Sequence, residues 1–246
     1  MIKLSEISTK APEGLTKKGL KKQTEKIAKE IARLQDILNA QKKHSLLIVL
    51  QGMDSSGKDG TTANVFKYCG PVGLSAYGFK KPTDEELAHD FLWRVHKLAP
   101  AKGEIKVFNR SHYEDVLIQR VHKWIDEDRV NSRFDAINAW EKLLINDNGT
   151  TILKFYLHLS YERQGEKLQE RIDDPEKQWK HNPGDWEERK LWDKYRDAYE
   201  DVINRSEVPW IIAPVDQRWY RNYFIGSKIL EALQSLDLKK PGLDNG

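Results

Sequence analysis

The chain has 246 residues, 39% hydrophobic and 32% charged, a composition that excludes wholesale disorder and suits one domain with room for an appended lid. Lysine and arginine number 41 against 38 acids, a net charge of +3, so the molecule is not a polycation shaped for duplex nucleic acid, and any polyanion must be gripped locally. The longest apolar run, 46–50, falls far below the roughly 20 residues that cross a bilayer, so no membrane span is expected.

Read in chain order, Leu20, Ile27, Ile31, Leu34 and Leu38 recur every three or four positions among Lys, Glu and Gln, which predicts an amphipathic helix over 15–43. The opening ten residues carry no apolar stretch ahead of a cleavage site, and the single cysteine, Cys69, can form neither an intrachain disulfide nor a thiolate metal cluster. A cytoplasmic location is the expectation. Leu46-Leu47-Ile48-Val49-Leu50 reads as a strand buried on both faces, as central parallel strands are. A helix follows from Lys58 and stops at Gly70-Pro71, and a short strand occupies 74–79. Thr83 and Glu86 form a capping box, from which Leu87, Phe91, Val95 and Leu98 extend a helical stripe ending before Pro100. The series continues with a strand at 105–108, helices at 113–124 and 132–146, and a strand at 151–159 rich in branched and aromatic residues. Asp185 and Glu188 open a further helix with the stripe Trp192, Tyr195, Tyr199 and Val202. A last strand at 210–213 and a helix at 217–236 precede a tail, 237–246, that reads as disordered.

Strands separated by helices throughout predict an α/β fold of three layers, a parallel sheet with helices on both faces. Ligands in such sheets bind beyond the carboxyl ends of the strands, so residues after Leu50, Phe108, Leu159 and Ala213 are the first to inspect.

The loop Gly52-Met53-Asp54-Ser55-Ser56-Gly57-Lys58-Asp59-Gly60-Thr61 lies where a strand meets a helix and contains G-x-x-x-x-G-K, the pattern that cradles phosphate. Its glycines let the backbone turn successive amide hydrogens inward, the helix N-terminus adds partial positive charge, and Lys58 adds a full one. The Ser or Thr that usually follows the lysine to ligate Mg²⁺ is Asp59, so a metal must use other oxygens, Asp54 foremost. Asn109 stands where many P-loop enzymes place a metal-binding Asp and can position water instead. Glu114 or Asp115 can then reach a metal or its water shell, the alternative for both being a helix-start charge facing the dipole.

Further blocks accompany that loop in order: Lys81-Pro82-Thr83, Phe108-Asn109-Arg110-Ser111-His112-Tyr113-Glu114-Asp115-Val116, Asp173-Asp174-Pro175-Glu176-Lys177-Gln178-Trp179-Lys180, Trp192-Asp193-Lys194-Tyr195, Pro209-Trp210 and Asp216-Gln217-Arg218-Trp219. Together they resemble the polyphosphate kinase 2 family over 14–236. The resemblance implies a single P-loop kinase-like (thymidylate kinase-like) domain over 1–246 with a helical lid module at 160–182. It implies phosphoryl transfer between inorganic polyphosphate and nucleotides, AMP to ADP and ADP to ATP, with guanine nucleotides as further acceptors. Mg²⁺ is the implied cofactor, with Mn²⁺ as a substitute, and a homo-oligomer, dimer or tetramer, is the implied assembly. Members with Tyr-Glu-Asp in the second motif resemble the subgroup accepting monophosphates as well as diphosphates, and Asn replaces the Glu where only diphosphates are taken, which makes Glu114 the specificity marker. Lys81 matches a phosphate-binding position, with Lys80 as the alternative register, and Arg171 matches the lid arginine. Glu166 and Lys167 stand where an Arg pair is usual, so this lid carries less positive charge than the family pattern.

Phosphoryl transfer needs alignment and charge neutralisation rather than covalent help. The candidate catalytic set is Asp54, Lys58, Arg110, Glu114 and Arg171. Phosphate and nucleotide binding falls to Gly52, Met53, Ser55, Ser56, Gly57, Asp59, Gly60, Thr61, Lys81, Asn109 and Lys180, with Arg218 a lesser candidate, and metal binding to Asp54, Glu114 and Asp115. Arg110 clamps a phosphate bidentately or sits in a surface ion pair. Trp192, Tyr195 and Tyr199 read as core, and His112 and His122, without a His-x-x-x-His pair, read as structural. Ser55 and Ser56 have no spaced His and Asp that would make a hydrolase nucleophile. Two other functions compete: an ATP-dependent nucleoside monophosphate kinase, and a non-catalytic polyphosphate- or nucleotide-binding module, since a phosphate cradle alone does not prove turnover.

Overall fold

Five parallel strands, β1 (Ser45–Gln51), β2 (Leu74–Gly78), β3 (Ile105–Asn109), β4 (Thr150–His158) and β5 (Trp210–Pro214), form one sheet in the order β2-β3-β1-β4-β5 in the computed structural model, which describes residues 1–242. Every residue of β1 is buried. Its side chains alternate: Leu47 and Val49 enter one core while Leu46, Ile48 and Leu50 enter the other, the period of two that a strand covered on both faces requires. The chain turns to the β2-β3 side after β1 and to the β4-β5 side after β3, so the connections part at the carboxyl ends of the central strands and leave a crevice there.

On one face, α1 (Lys17–Gln41) starts where the Thr16 hydroxyl accepts the Gly19 N–H, the cap its sequence calls for. With α2 (Lys58–Val65) and the last helix of the chain it covers a core of Ile31, Leu38, Ile48, Val107, Phe155 and Ile229. On the other face, α3 (Asp84–Ala88), α4 (Trp93–His96), α5 (Ile118–Val121) and α6 (Glu127–Asn146) lead to β4. Beyond β4 come α7 (Tyr161–Asp173), α8 (Gly184–Arg189) and α9 (Trp192–Arg205), and α10 (Arg218–Ser235) closes the first face against α1. The second core gathers Val49, Val95, Phe108, Val130, Tyr156 and Tyr199. No helix among the described residues is long and apolar enough to cross a membrane.

Several helices differ from expectation. The predicted 83–98 stripe is two helices, because His89 is extended and the Asp90 carboxylate accepts the Leu92 N–H at 2.9 Å, restarting the chain. The capping box at Thr83 and Glu86 is present. The predicted helix at 113–124 is instead a 3₁₀ segment, His112–Val116, followed by α5, with the break at Leu117. The helix from Lys58 ends at Val65, short of Gly70-Pro71, and α6 begins earlier than 132 because the Asp126 carboxylate caps it through the Arg129 N–H. The helix expected from Asp185 is divided at Leu191 into α8 and α9. Of the predicted tail, 237–242 carries no helix or strand, and 243–246 lies outside the described residues.

Candidate active site

β1 delivers its loop directly into the crevice. The Ser56 N–H donates to the Met53 carbonyl at 3.1 Å, and Gly57, with φ +94°, makes the left-handed turn from which α2 starts. Ser55 (φ +66°) and Arg110 (φ +63°) also occupy the left-handed region, strain of the kind that clusters where a loop must hold a ligand. The Lys58 ammonium is buried and donates to the carbonyls of Gly52 (2.8 Å) and Met53 (3.2 Å), bracing the loop from inside. Burial, with Arg110 adding to it, pushes this amine down to about 8.

Arg110 follows the last residue of β3 and donates from Nη2 to the Asp54 carboxylate at 2.5 Å. Burial opposes ionisation of Asp54, but Lys58 and Arg110 outweigh it and hold the carboxyl below its usual range. Glu114 is half-buried, and burial raises its carboxyl against the pull of Arg110 and Lys58. The Asn109 side-chain amide donates to the Asp59 carboxylate. α7 leans on the loop from the other side: Gln164 donates to the Asp54 carbonyl at 3.1 Å and Lys167 to the Ser55 carbonyl at 3.3 Å.

Two spaces meet at the Asp54–Arg110 pair. The larger, about 670 Å³, is walled by Lys58, Lys80, Arg110, Lys167, Arg171, Lys177, Lys180, Arg218 and Arg221 against only Asp54, Asp59, Glu170 and Asp185. Such a wall suits a polyanion. The smaller, about 60 Å³, is lined by Glu114, Glu188, Trp192, Tyr195 and Tyr199. Among the described residues no three His, Cys, Asp or Glu side chains converge as metal ligands. Asp54 and Glu114 fit a divalent ion that takes one or two carboxylates and completes its shell with phosphate oxygens and water.

The polyphosphate kinase 2 family model matches residues 14–241. The chain belongs to the polyphosphate kinase 2 family. It is 45% identical to the AMP/ADP-polyphosphate phosphotransferase of Meiothermus ruber over 216 residues, 87% of this chain and 80% of that one. The ADP-polyphosphate phosphotransferase of Rhodopseudomonas palustris is 38% identical over 86% of this chain and 78% of its own. The crystal structure of polyphosphate kinase 2 from Arthrobacter aurescens TC1 shares the fold with a TM-score of 0.95 at 39% identity, covering 100% of this chain and 89% of that one.

In this family member, the structure brings most of the residues singled out by sequence to the two spaces. Asp54, Ser55, Gly57, Lys58, Asp59, Gly60, Asn109, Arg110, Arg171 and Lys180 line the larger one, while Gly52, Met53 and Glu114 line the smaller together with Asp54 and Arg110. Arg171 is engaged within its own segment, paired with the Asp185 carboxylate and donating to the Lys180 carbonyl at 3.3 Å.

Four expected residues are placed elsewhere. Lys81 is exposed and outside the cavity wall, where Lys80 takes its place one residue earlier. Asp115 does not face the site, which corrects its reading as a metal ligand: it is buried 3.7 Å from Arg94 Nη2 and also accepts from Gln119. Burial raises the Asp115 carboxyl to about 6, with Arg94 and Arg133 opposing. The Thr61 hydroxyl donates back to the Gly57 carbonyl at 3.0 Å, a bond within the helix. Ser56 is fully buried, outside both linings.

Sequence reasoning also missed two features. Trp192 and Tyr195, read as core, are half-buried and line the smaller space, with the Tyr195 hydroxyl donating to Glu188 at 2.6 Å. Arg221 in α10 was not singled out, although it follows Arg218 by three positions on one helix face, a spacing that points both side chains the same way.

Proposed function

We propose that this member of the polyphosphate kinase 2 family moves a phosphoryl group between inorganic polyphosphate and adenine nucleotides, AMP to ADP and ADP to ATP. The observation that supports this most directly is the division of the site: a strongly basic cavity and a crevice with aromatic and acidic walls share Asp54 and Arg110. The phosphate chain lies in the first, and the nucleotide enters from the second with its terminal phosphate toward the shared pair. An oxygen of that phosphate attacks the end phosphorus of the chain. The anhydride P–O bond breaks, and the shortened polyphosphate leaves with the electron pair. Lys58 and Arg110 neutralise charge growing on the transferred oxygens, in a site where low dielectric strengthens each contact. A divalent ion held by Asp54 and Glu114, Mg²⁺ with Mn²⁺ as a substitute, would supply further neutralisation of the phosphates. The segment 160–182 acts as a lid, since α7 already touches the loop through Gln164 and Lys167.

Guanine nucleotides as further acceptors, a homo-oligomeric assembly and a cytoplasmic place of action complete the proposal. Incubating the protein with AMP or ADP, Mg²⁺ and polyphosphate, with products followed by ³¹P NMR, should yield ADP or ATP. Product formed only when ATP is the donor would favour the monophosphate kinase reading instead. Lys58→Ala should lower the rate by about 10²–10³-fold, as loss of one charge in a preorganised site does; wild-type rates from that variant would contradict the role given to the loop.

A further inference from the structure

α10 sends one arginine against the back of the glycine loop. Arg221 is 2% exposed, yet the only hydrogen bonds of its guanidinium among the described residues run from Nε (3.1 Å) and Nη2 (2.8 Å) to the side-chain oxygen of its neighbour Asn222. No carboxylate among the described residues lies within ion-pair distance of it. Buried guanidinium groups ordinarily meet a carboxylate, because removal from water is otherwise uncompensated. The basic neighbours Arg218 and Lys167 wall the same cavity as Arg221. Burial, with Arg218 adding to it, pushes the guanidinium down to about 10.

The glycines of the loop fit this side chain. A Cβ at Gly57 would collide with Arg221 Nη1, and a Cβ at Gly60 would stand 3.2 Å from Nη2. Gly60 lies outside the G-x-x-x-x-G-K spacing, so phosphate cradling does not by itself call for it. Close approach of a planar guanidinium does. Nη1 has no protein acceptor among the described residues, and the residue lines the cavity wall beside Lys58 and Lys167.

We infer that Arg221 is a phosphate-binding residue of the larger cavity, held against the glycine loop so that Nη1 meets an oxygen of the polyphosphate chain. The inference rests on the function proposed above. It makes the bound chain the counter-ion that the fold withholds, and it assigns α10 a direct part in binding the donor. Planar N–H groups suit phosphate oxygens, which a lysine at this position would meet only as a point charge.

The test is thermal melting of wild-type protein, Arg221→Met and Gly60→Ala with and without inorganic polyphosphate, together with KM values for polyphosphate and ADP. R221M should melt at or above wild type without polyphosphate, because a buried unpaired charge is gone. It should lose most of the polyphosphate-induced shift, and its KM for polyphosphate should rise about tenfold or more, as loss of a charge-assisted hydrogen bond does, while KM for ADP stays within about twofold. G60A should move KM for polyphosphate in the same direction by less. An R221M protein that fails to fold, or that melts below wild type and keeps the shift, has lost a structural arginine and overturns the inference. A wild type that polyphosphate does not stabilise overturns the proposed function and the inference with it, whereas a wild-type shift retained in R221M overturns the inference alone.

Discussion

Two amines in the cavity wall, Lys58 and Lys167, are each pushed down to about 8, mainly by burial, with arginine neighbours adding to the effect. An incoming polyanion favours their charged forms, so their pKa values rise on binding. Binding should therefore take up protons wherever the free amines are partly neutral, and affinity should fall as pH climbs from about 8 toward the ordinary lysine value of 10.5. Calorimetric titration of polyphosphate at pH 8.5 in two buffers of different ionisation enthalpy checks the sign. Proton release, or none exchanged, would contradict it. Glu114 carries a separate prediction. Its carboxylate lines the smaller space together with Arg110 and, in the function proposed above, would supply the acceptor side with a charge that AMP, one phosphate shorter than ADP, does not bring. Glu114→Asn keeps the size and removes the charge, so kcat/KM should fall about tenfold more for AMP than for ADP, a difference of one discriminating contact; an equal loss on both acceptors would remove its selectivity role. The sequence favours Glu114 over Asp115, and Glu114 lines the smaller space; the physical reason was not legible in their adjacency, because it depends on a 3₁₀ segment whose neighbours bury Asp115 against Arg94.

The 3₁₀ segment His112–Val116 is held by a buried polar network joining three elements. Lys154 of β4 donates to Glu141 of α6 at 2.7 Å and to the Tyr113 hydroxyl at 2.6 Å, and that hydroxyl donates to Glu141 at 2.9 Å. Lys154 and Glu141 are both 0% exposed. Lys154→Met should cost about 3–5 kcal/mol in urea denaturation, because it leaves the buried Glu141 charge only the Tyr113 hydroxyl and a His112 nitrogen 3.7 Å away, and adding Glu141→Leu should recover most of the loss. A single variant as stable as wild type would show that the pair does not hold this corner. Neither Lys154 nor Glu141 was visible as core in the sequence, since each reads as an ordinary charged residue until its partner is placed. The long elements were legible for the opposite reason. α1 and α10 and the central strands carry unbroken periodicity, and packing on one face enforces it over many residues. The same enforcement misled where helices break. Phe91, Val95 and Leu98 all pack on one core, so their spacing looks helical although the extended backbone at His89 separates α3 from α4.

At the scale of the whole molecule, a net charge of +3 is too small to steer a polyanion by itself. What the fold does is collect cations from α2, α7, α10 and the turns that follow β2 and β3 around one cavity. The parallel architecture that accomplishes this was readable from the alternation of strands and helices. Which cations it would gather was not, because residues as distant in sequence as Lys58 and Arg221 meet only through the β1 and β5 connections. Salt dependence tests whether the gathered charge acts as a unit. Each phosphate neutralised by Lys or Arg displaces condensed counter-ions, so affinity falls as a power of salt concentration set by the number of contacts. For about four such contacts, raising salt from about 50 to 200 mM at fixed free Mg²⁺ should increase KM for polyphosphate between about tenfold and a hundredfold, by analogy with single-stranded nucleic acid. KM for ADP, which the proposed function places in the smaller space lined by Trp192, Tyr195 and Tyr199, should change much less. Equal slopes for the two substrates would mean that the basic cavity does not distinguish the chain from the nucleotide, and a flat response for polyphosphate would mean that its affinity comes from backbone amides and not from the assembled side chains.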